Sequence, residues 1–132
     1  MTAARSSCPA MHKRKGYFMI DWVKGFAGAI TVCDKDGKVL EMNEQACKVF
    51  AKSGGADLVG ASLLECHPEP ARGKLVKMLE NPSVNAYTIE KNGMKKLIYQ
   101  APWYENGLFG GFVEISLPLP ENMPHFVRTP AV

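Results

Sequence analysis

The sequence predicts an α+β domain in which an antiparallel sheet carries helices on one face. Three observations support this prediction. Residues 28–50 have the pattern of a strand, a tight turn, a second strand and a helix. Residues 71–79 place apolar side chains at helical spacing. Two Asn-Gly pairs, at 92–93 and 106–107, stand between segments with strand character, as hairpin turns do.

The opening unit begins with a predicted strand at 29–33, which is apolar and partly β-branched. Asp34 and Gly37 predict the turn that follows, because Asp can hydrogen-bond its own backbone and Gly readily adopts positive φ. A return strand is predicted at 39–42. Asn43 then offers a side-chain oxygen to the free N–H groups at the start of a helix. The apolar face of that helix contains Ala46, Val49 and Phe50.

The segment before this unit divides into a polar arm and a helix. Residues 1–16 are rich in small and polar side chains, which predicts a disordered arm. Residues 17–26 predict a short amphipathic helix, because four apolar side chains follow helical spacing. These side chains are Met19, Trp22, Val23 and Phe26. The stripe must be covered by its own domain or by a second copy of the chain, so it is a candidate dimerisation surface.

Two further helical segments are predicted between the helix that Asn43 begins and the third strand. Ser62 and Glu65 have the spacing of a capping box, which predicts a short helical turn. Pro68 disfavours helix at the residue before it, and Pro70 suits the first turn of the next helix. That helix is predicted to end before Pro82. Its apolar stripe contains Ala71, Leu75, Met78 and Leu79.

Three strands complete the predicted fold, at 85–90, 94–104 and 108–117. The Gly110-Gly111 pair in the last strand predicts a bulge or a close approach by another backbone. We assign that approach to the N-terminal helix crossing the outer face of the sheet. The side chains expected to share one face of the middle strand are Leu97, Tyr99, Ala101 and Trp103.

Length and composition limit the classes of protein. The 132 residues are enough for one domain, which we place at 17–117, followed by a proline-rich extended tail at 118–132. The net charge of +3 comes from interspersed acids and bases, which argues against a nucleic-acid binder. No apolar run suits a membrane span or a signal peptide, so we expect a cytoplasmic protein. In that compartment Cys8, Cys33, Cys47 and Cys66 are expected to be unpaired thiols.

The predicted order is β-β-α-α-α-β-β-β, with an Asp-x-x-Gly turn and an Asn that opens the first helix after it. This order resembles the PAS sensory domain family over residues 26–117. The resemblance implies a five-stranded antiparallel sheet with spatial strand order 2-1-5-4-3, helices on one face and a flanking N-terminal helix. It also implies a pocket between the helices and the inner sheet face. Family members hold haem, flavin, other small ligands or nothing, so the cofactor stays open.

The resemblance places candidate pocket residues near the long helix and on the later strands. They are Cys66, His67, Leu75, Tyr87, Tyr99 and Trp103. His67 can ligate haem iron, or it can fix its loop by a hydrogen bond. Cys66 lacks the flanking residues of flavin-binding light sensors, which argues against flavin photochemistry. No phosphate loop, carboxylate pair or nucleophile elbow supports an enzyme.

Three functional hypotheses follow from this resemblance. The first is a stand-alone, homodimeric bacterial sensory module that binds a small ligand or a partner and passes a conformational change to a signalling protein. The second is a ligand-free interaction or dimerisation domain with a filled core. The third is a haem-based redox or gas sensor that uses His67. None of them involves nucleic acid or a membrane.

Overall fold

The computed structural model describes residues 20–130, within which the chain forms helices, strands and short 3-10 turns. The helices are α1 (Trp22–Gly25), α2 (Glu44–Val49), α3 (Leu63–Cys66) and α4 (Ala71–Glu80), and 3-10 turns at Ala51–Ser53 and Gly55–Leu58 follow α2. The strands are β1 (Ala29–Asp34), β2 (Val39–Met42), β3 (Asn85–Lys91), β4 (Met94–Glu105) and β5 (Leu108–Pro118). They form one antiparallel sheet in the order β2-β1-β5-β4-β3, which confirms the predicted fold class and strand order. The arm predicted at 1–16 lies outside the described residues.

Turns made by Asp, Asn and Gly connect the neighbouring strands. Asp34 Oδ1 accepts hydrogen bonds from the backbone N–H groups of Asp36 and Lys38, both at 2.9 Å, in the β1–β2 turn. Asn92 and Gly93, between β3 and β4, both have positive φ (54° and 76°), which is the conformation of a two-residue hairpin turn. The pair at 106–107 has the same form, with φ of 52° and 79°. The turns predicted from the sequence are therefore confirmed.

The helices between β2 and β3 begin where the sequence predicts. Asn43 Oδ1 accepts a hydrogen bond from Ala46 N–H at 3.0 Å and caps α2. Ser62 Oγ accepts one from Glu65 N–H at 3.4 Å and caps α3. Pro70 directly precedes α4, which ends before the Asn81-Pro82 pair. Local capping chemistry thus fixes the layer of helices that covers the sheet.

The N-terminal helix within the described residues is shorter than the sequence predicts. We expected a helix over 17–26; residues 17–19 lie outside the described part of the chain, and from Ile20 onward α1 is a single turn. Asp21 Oδ1 accepts a hydrogen bond from Lys24 N–H at 3.3 Å, so Asp21 caps the helix and does not lie inside it. The prediction of a continuous helix through Asp21 is therefore wrong. Of the candidate dimerisation residues, Trp22 and Phe26 are exposed, Val23 is half-buried and Met19 lies outside the described residues.

The two faces of the sheet are covered differently. We call the face that packs against α2 the inner face; on β1 it carries Ala29, Thr31 and Cys33. The opposite face of the sheet is the outer face. The core cluster at this end consists of Ala29, Val39, Met42 and Ala46, surrounded by half-buried side chains of α2, the 3-10 turns and α3. At the other edge, β3 is exposed along nearly its whole length. The helices therefore bury one end of the inner face and leave the other end accessible to solvent.

Close packing explains the Gly110-Gly111 pair in β5. Gly111 has a φ of +149°, and a Cβ there would overlap the carbonyl oxygen of Cys33. A Cβ at Gly110 would overlap the ring of Trp103, whose Nε1 donates a hydrogen bond to that same carbonyl at 3.0 Å. The β4–β5 register shifts between Trp103 and Tyr104, so the predicted irregularity is present. The neighbours are β1 and Trp103, however, and the assignment to the N-terminal helix is wrong.

Candidate functional site

The strand register separates the aromatic residues that we predicted to line one pocket. Tyr87 lies opposite Ile98, which lies opposite Ser116, and Ser116 lies opposite Ala29 on the inner face. Because directly opposed residues share a face and neighbours alternate, Tyr99 is on the outer face. Trp103 is four residues further along β4, in the same register, and is also on the outer face. Only Tyr87 of these three residues therefore lies on the inner face.

The other candidate pocket residues lie in the helical layer. His67 Nδ1 lies 2.7 Å from the carbonyl oxygen of Leu63, so that nitrogen carries the proton and donates the hydrogen bond. This contact links the end of α3 to the loop before α4. Leu75 is half-buried on α4, whereas Cys66 is exposed. The structure thus gives His67 the loop-fixing hydrogen bond that the sequence left as one of its two roles.

A row of polar side chains runs across the inner face from β1 to the exposed β3 edge, and sequence reasoning did not identify it. The row follows opposed positions on four adjacent strands and consists of Thr31, Glu114, Gln100 and Asn85. Asn85 Nδ2 donates to Gln100 Oε1 at 2.8 Å, and Gln100 Nε2 donates to Glu114 Oε1 at 2.7 Å. All four side chains are half-buried. We name this set the polar row.

The Glu114 carboxylate influences titratable groups on both sides of the polar row. Burial raises the pKa of the Tyr87 hydroxyl, and Glu114 raises it further. Burial also raises the pKa of the Cys33 thiol; a hydrogen bond from the Phe112 backbone opposes this, and Asp34 and Glu114 add to it. The Glu114 charge therefore acts on side chains of both β1 and β3. Glu114 itself accepts the hydrogen bond from Gln100 within the row.

The geometry resembles that of solved sensory domains. No sequence-family model matches the chain, and no curated protein matches it in sequence. The PAS domain of BvgS from Bordetella pertussis is 20% identical, with a TM-score of 0.58 over 75% of this chain and 82% of that chain. The Aer2 receptor from Vibrio cholerae, a dual PAS-heme oxygen sensor, is 17% identical, with a TM-score of 0.54 over 70% of this chain and 95% of that chain. The chain has the PAS fold.

A third solved structure agrees with this fold. It is a sensory box sensor histidine kinase from Vibrio cholerae, 15% identical, with a TM-score of 0.52 over 74% of this chain and 85% of that chain. Within residues 20–130, no group of three or more His, Cys, Asp or Glu side chains is placed to hold a metal ion. No helix in this part of the PAS fold is long and apolar enough to cross a membrane.

Asn43 connects the PAS core to the N-terminal turn, a role beyond the predicted cap. Its side chain is 3% exposed, and its Oδ1 accepts a hydrogen bond from Ile30 N–H at 2.9 Å in addition to the cap of α2. Its Nδ2 donates to the carbonyl oxygens of Val23 at 2.9 Å and Gly28 at 2.8 Å. One carboxamide therefore holds together α1, the start of β1 and the start of α2.

The cysteines of the PAS fold differ in their state. Cys33 and Cys66 are free, and Cys33 is buried while Cys66 is exposed. Cys47 is disulfide-bonded. The expectation of unpaired thiols is therefore wrong for Cys47. A disulfide is typical of oxidising compartments, so this residue does not fit the unpaired thiols expected in the cytoplasm.

Proposed function

We propose that this chain is a sensory PAS module that binds a small ligand on its inner sheet face and passes a conformational change to a signalling protein. The observation that carries the proposal is the polar row, which is half-buried at the end of the inner face that the core cluster leaves accessible. Binding sites combine apolar surface with a few placed polar groups. The polar row supplies the polar groups, and Ile98 and Phe112 supply buried apolar surface on the same face.

The proposed output runs through α1. Asn43 contacts β1 of the sheet and the backbone of α1, so a shift of the sheet changes the hydrogen bonds that hold α1. The receptor and sensor histidine kinase with similar folds support a signalling role. In this proposal the chain does not act as an enzyme, and its partner is a signalling protein. It also retains the predicted domain limits of 17–117 and a cytoplasmic location.

Native mass spectrometry of freshly purified full chain tests the ligand. We expect a mass above that of the polypeptide, and we expect Gln100→Ala to lose it because this substitution breaks the polar row. Thr88→Ala is the matched control, since Thr88 lies opposite Leu97 on the outer face. A mass equal to the polypeptide in several expression hosts, or equal retention of the ligand by both variants, would contradict the proposal.

A ligand-free dimerisation domain is the second candidate function. It is supported by exposed aromatic side chains away from the inner face: Trp22 is 64% exposed and Tyr99 is 41% exposed. We expect a homodimer in sedimentation velocity that Tyr99→Glu weakens, because a buried charge is costly in an apolar interface. Tyr87→Glu, on the opposite face, is the control. A monomeric wild-type chain at all concentrations would remove this candidate.

A haem sensor is the third candidate, and it rests on His67. With Nδ1 committed to the Leu63 carbonyl, Nε2 is the nitrogen available to a metal, and such a second-shell hydrogen bond is typical of ligating histidines. Haemin titration should then give a Soret band that His67→Ala abolishes. His125→Ala is the control, because His125 lies in the exposed tail. A spectrum that His67→Ala leaves unchanged eliminates His67 as the ligand.

A further inference from the structure

We infer that the polar row selects a ligand that carries a protonated amine. This inference rests on the proposed function, because it specifies the ligand of the same inner-face site. It follows from three features of the described residues: the direction of the hydrogen bonds along the row, the charge of Glu114, and the apolar side chains beside it.

The hydrogen bonds of the row all run in one direction. An ionised carboxylate only accepts hydrogen bonds, so the Gln100 side chain must turn its NH₂ group towards Glu114. The Gln100 carbonyl oxygen then faces β3 and accepts from the Asn85 NH₂ group. Each carboxamide thereby uses one N–H of its NH₂ group inside the row. The second oxygen of Glu114 and the Asn85 side-chain oxygen accept no hydrogen bond from residues 20–130, so the row keeps acceptors beside the Glu114 charge.

Among residues 20–130, Glu114 has no ion-pair partner. The ion pair between described residues lies at the β1–β2 turn, and no Lys or Arg of residues 20–130 is within ion-pair distance of Glu114. Lys96 lies on the same face, but it is four residues from Gln100, or about 13 Å along β4 at the rise of an antiparallel strand. Burial raises the pKa values of Tyr87 and Cys33, and the Glu114 charge raises both further. A carboxylate ligand would meet this charge and the row's acceptors, and it would be repelled.

The surroundings of the row suit an amine with an apolar body. Ile98 is 7% exposed and Phe112 is 6% exposed, and each lies on the inner face next to the row. The Tyr87 ring is 43% exposed at the β3 edge of the same face. An aromatic ring can contact both an apolar group and a cation over its face. The ligand class is therefore a small alkyl- or arylammonium ion, with donors for Glu114 and an apolar body for the neighbouring side chains.

Isothermal titration of the full chain with charge-matched probes tests this inference. The probes are 2-phenylethylammonium, 3-phenylpropanoate and 2-phenylethanol, together with n-butylammonium and pentanoate. We expect each ammonium ion to bind more tightly than its carboxylate counterpart. Glu114→Gln should weaken ammonium binding about tenfold or more, because a charge-assisted hydrogen bond becomes a neutral one. Glu90→Gln is the matched control, since Glu90 is an exposed carboxylate on the outer face, and it should leave the affinity unchanged.

The outcomes separate this inference from the proposed function. Tighter binding of the carboxylates or the alcohol, lost in Gln100→Ala, would overturn the preference for amines and leave the ligand-binding function standing. Equal affinity of Glu114→Gln and wild type for the ammonium ions would overturn the role of Glu114. Absence of binding for every probe, together with a native mass equal to that of the polypeptide, would overturn both proposals.

Discussion

Replacing Asn43 should destabilise the domain more than replacing any ordinary helix cap. Its side chain makes four hydrogen bonds of 2.8–3.0 Å, two through Oδ1 and two through Nδ2. At about 1 kcal/mol for each bond, Asn43→Ala should lower the free energy of unfolding by roughly 4 kcal/mol. The site is 3% exposed, so water replaces these partners poorly. Since a domain of this size is stable by about 5–15 kcal/mol, the variant should remain folded or nearly so.

Urea denaturation monitored by circular dichroism measures this loss of stability, and two further variants are compared with Asn43→Ala. Asn43→Ser keeps an acceptor for the start of α2 but loses both donors, so it should cost roughly half as much as Asn43→Ala. Ser62→Ala removes an exposed cap at α3 and should cost about 1 kcal/mol or less. A loss below about 1 kcal/mol for Asn43→Ala, or equal losses for Asn43→Ala and Ser62→Ala, would refute the connecting role of the carboxamide.

Three other predictions use the same denaturation assay or thiol labelling. Gly111→Ala should destabilise the domain by about 3 kcal/mol or more, because its Cβ would overlap the Cys33 carbonyl. Gly93→Ala is the control: its Cβ meets no atom within 4 Å, so it should cost only the positive-φ penalty of about 1 kcal/mol. Similar losses for the two variants would refute the packing argument. Trp103→Phe should cost about 1 kcal/mol through its lost hydrogen bond, and an unchanged stability would show that water replaces it. Iodoacetamide should label exposed Cys66 before buried Cys33. Folding raises the pKa of the Cys33 thiol, so the stability that this protonated thiol contributes is present below the ordinary value of 9.0 and is lost as pH rises through the folded value. Cys33→Ala should reduce this dependence of the free energy of unfolding on pH.

Local chemistry made most of the fold predictable. Each hairpin turn has residues that adopt positive φ cheaply, and each helix between β2 and β3 has a start signal that the chain uses. The predicted length of the N-terminal helix was too great because the apolar spacing also fits a single turn. Asp21, at the start of that turn, was counted as a polar position within the helix. Spacing alone did not distinguish an interior Asp from a capping one.

The polar row was only partly predictable. The two-residue turn at 92–93 fixes the pairing of Asn85 with Gln100, so this contact could have been found by counting back along the hairpin. Counting from the turn at 106–107 without interruption would instead place Val113 opposite Gln100. The irregularity beside Gly110 adds one residue to β5 and brings Glu114 to that position. A shift of one residue exchanges the faces, and the sequence indicates an irregularity there without fixing its effect on register.

The face of the aromatic residues could not be decided from alternation. Tyr99 and Trp103 share a face, as predicted, but both faces of β4 carry apolar side chains, and Ile98 is the buried one. Which face the helices cover depends on contacts between β1 and α2, which are distant in sequence from β4. Of the aromatic residues predicted to line the pocket, Tyr87 therefore lies on the inner face, and Tyr99 and Trp103 lie on the outer face.

The uneven placement of the core has a consequence for local motion. Among the described residues, the buried apolar side chains belong to β1, β2, α2, β4 and β5, and none belongs to β3. Segments with few buried contacts open at a lower free-energy cost than the whole domain. Amide hydrogens of Tyr87–Lys91 should therefore exchange by fraying of the sheet edge, while those of Ile30 and Val32 wait for global unfolding. A binding site at that edge could be remodelled by its occupant without disturbing the anchored half of the molecule.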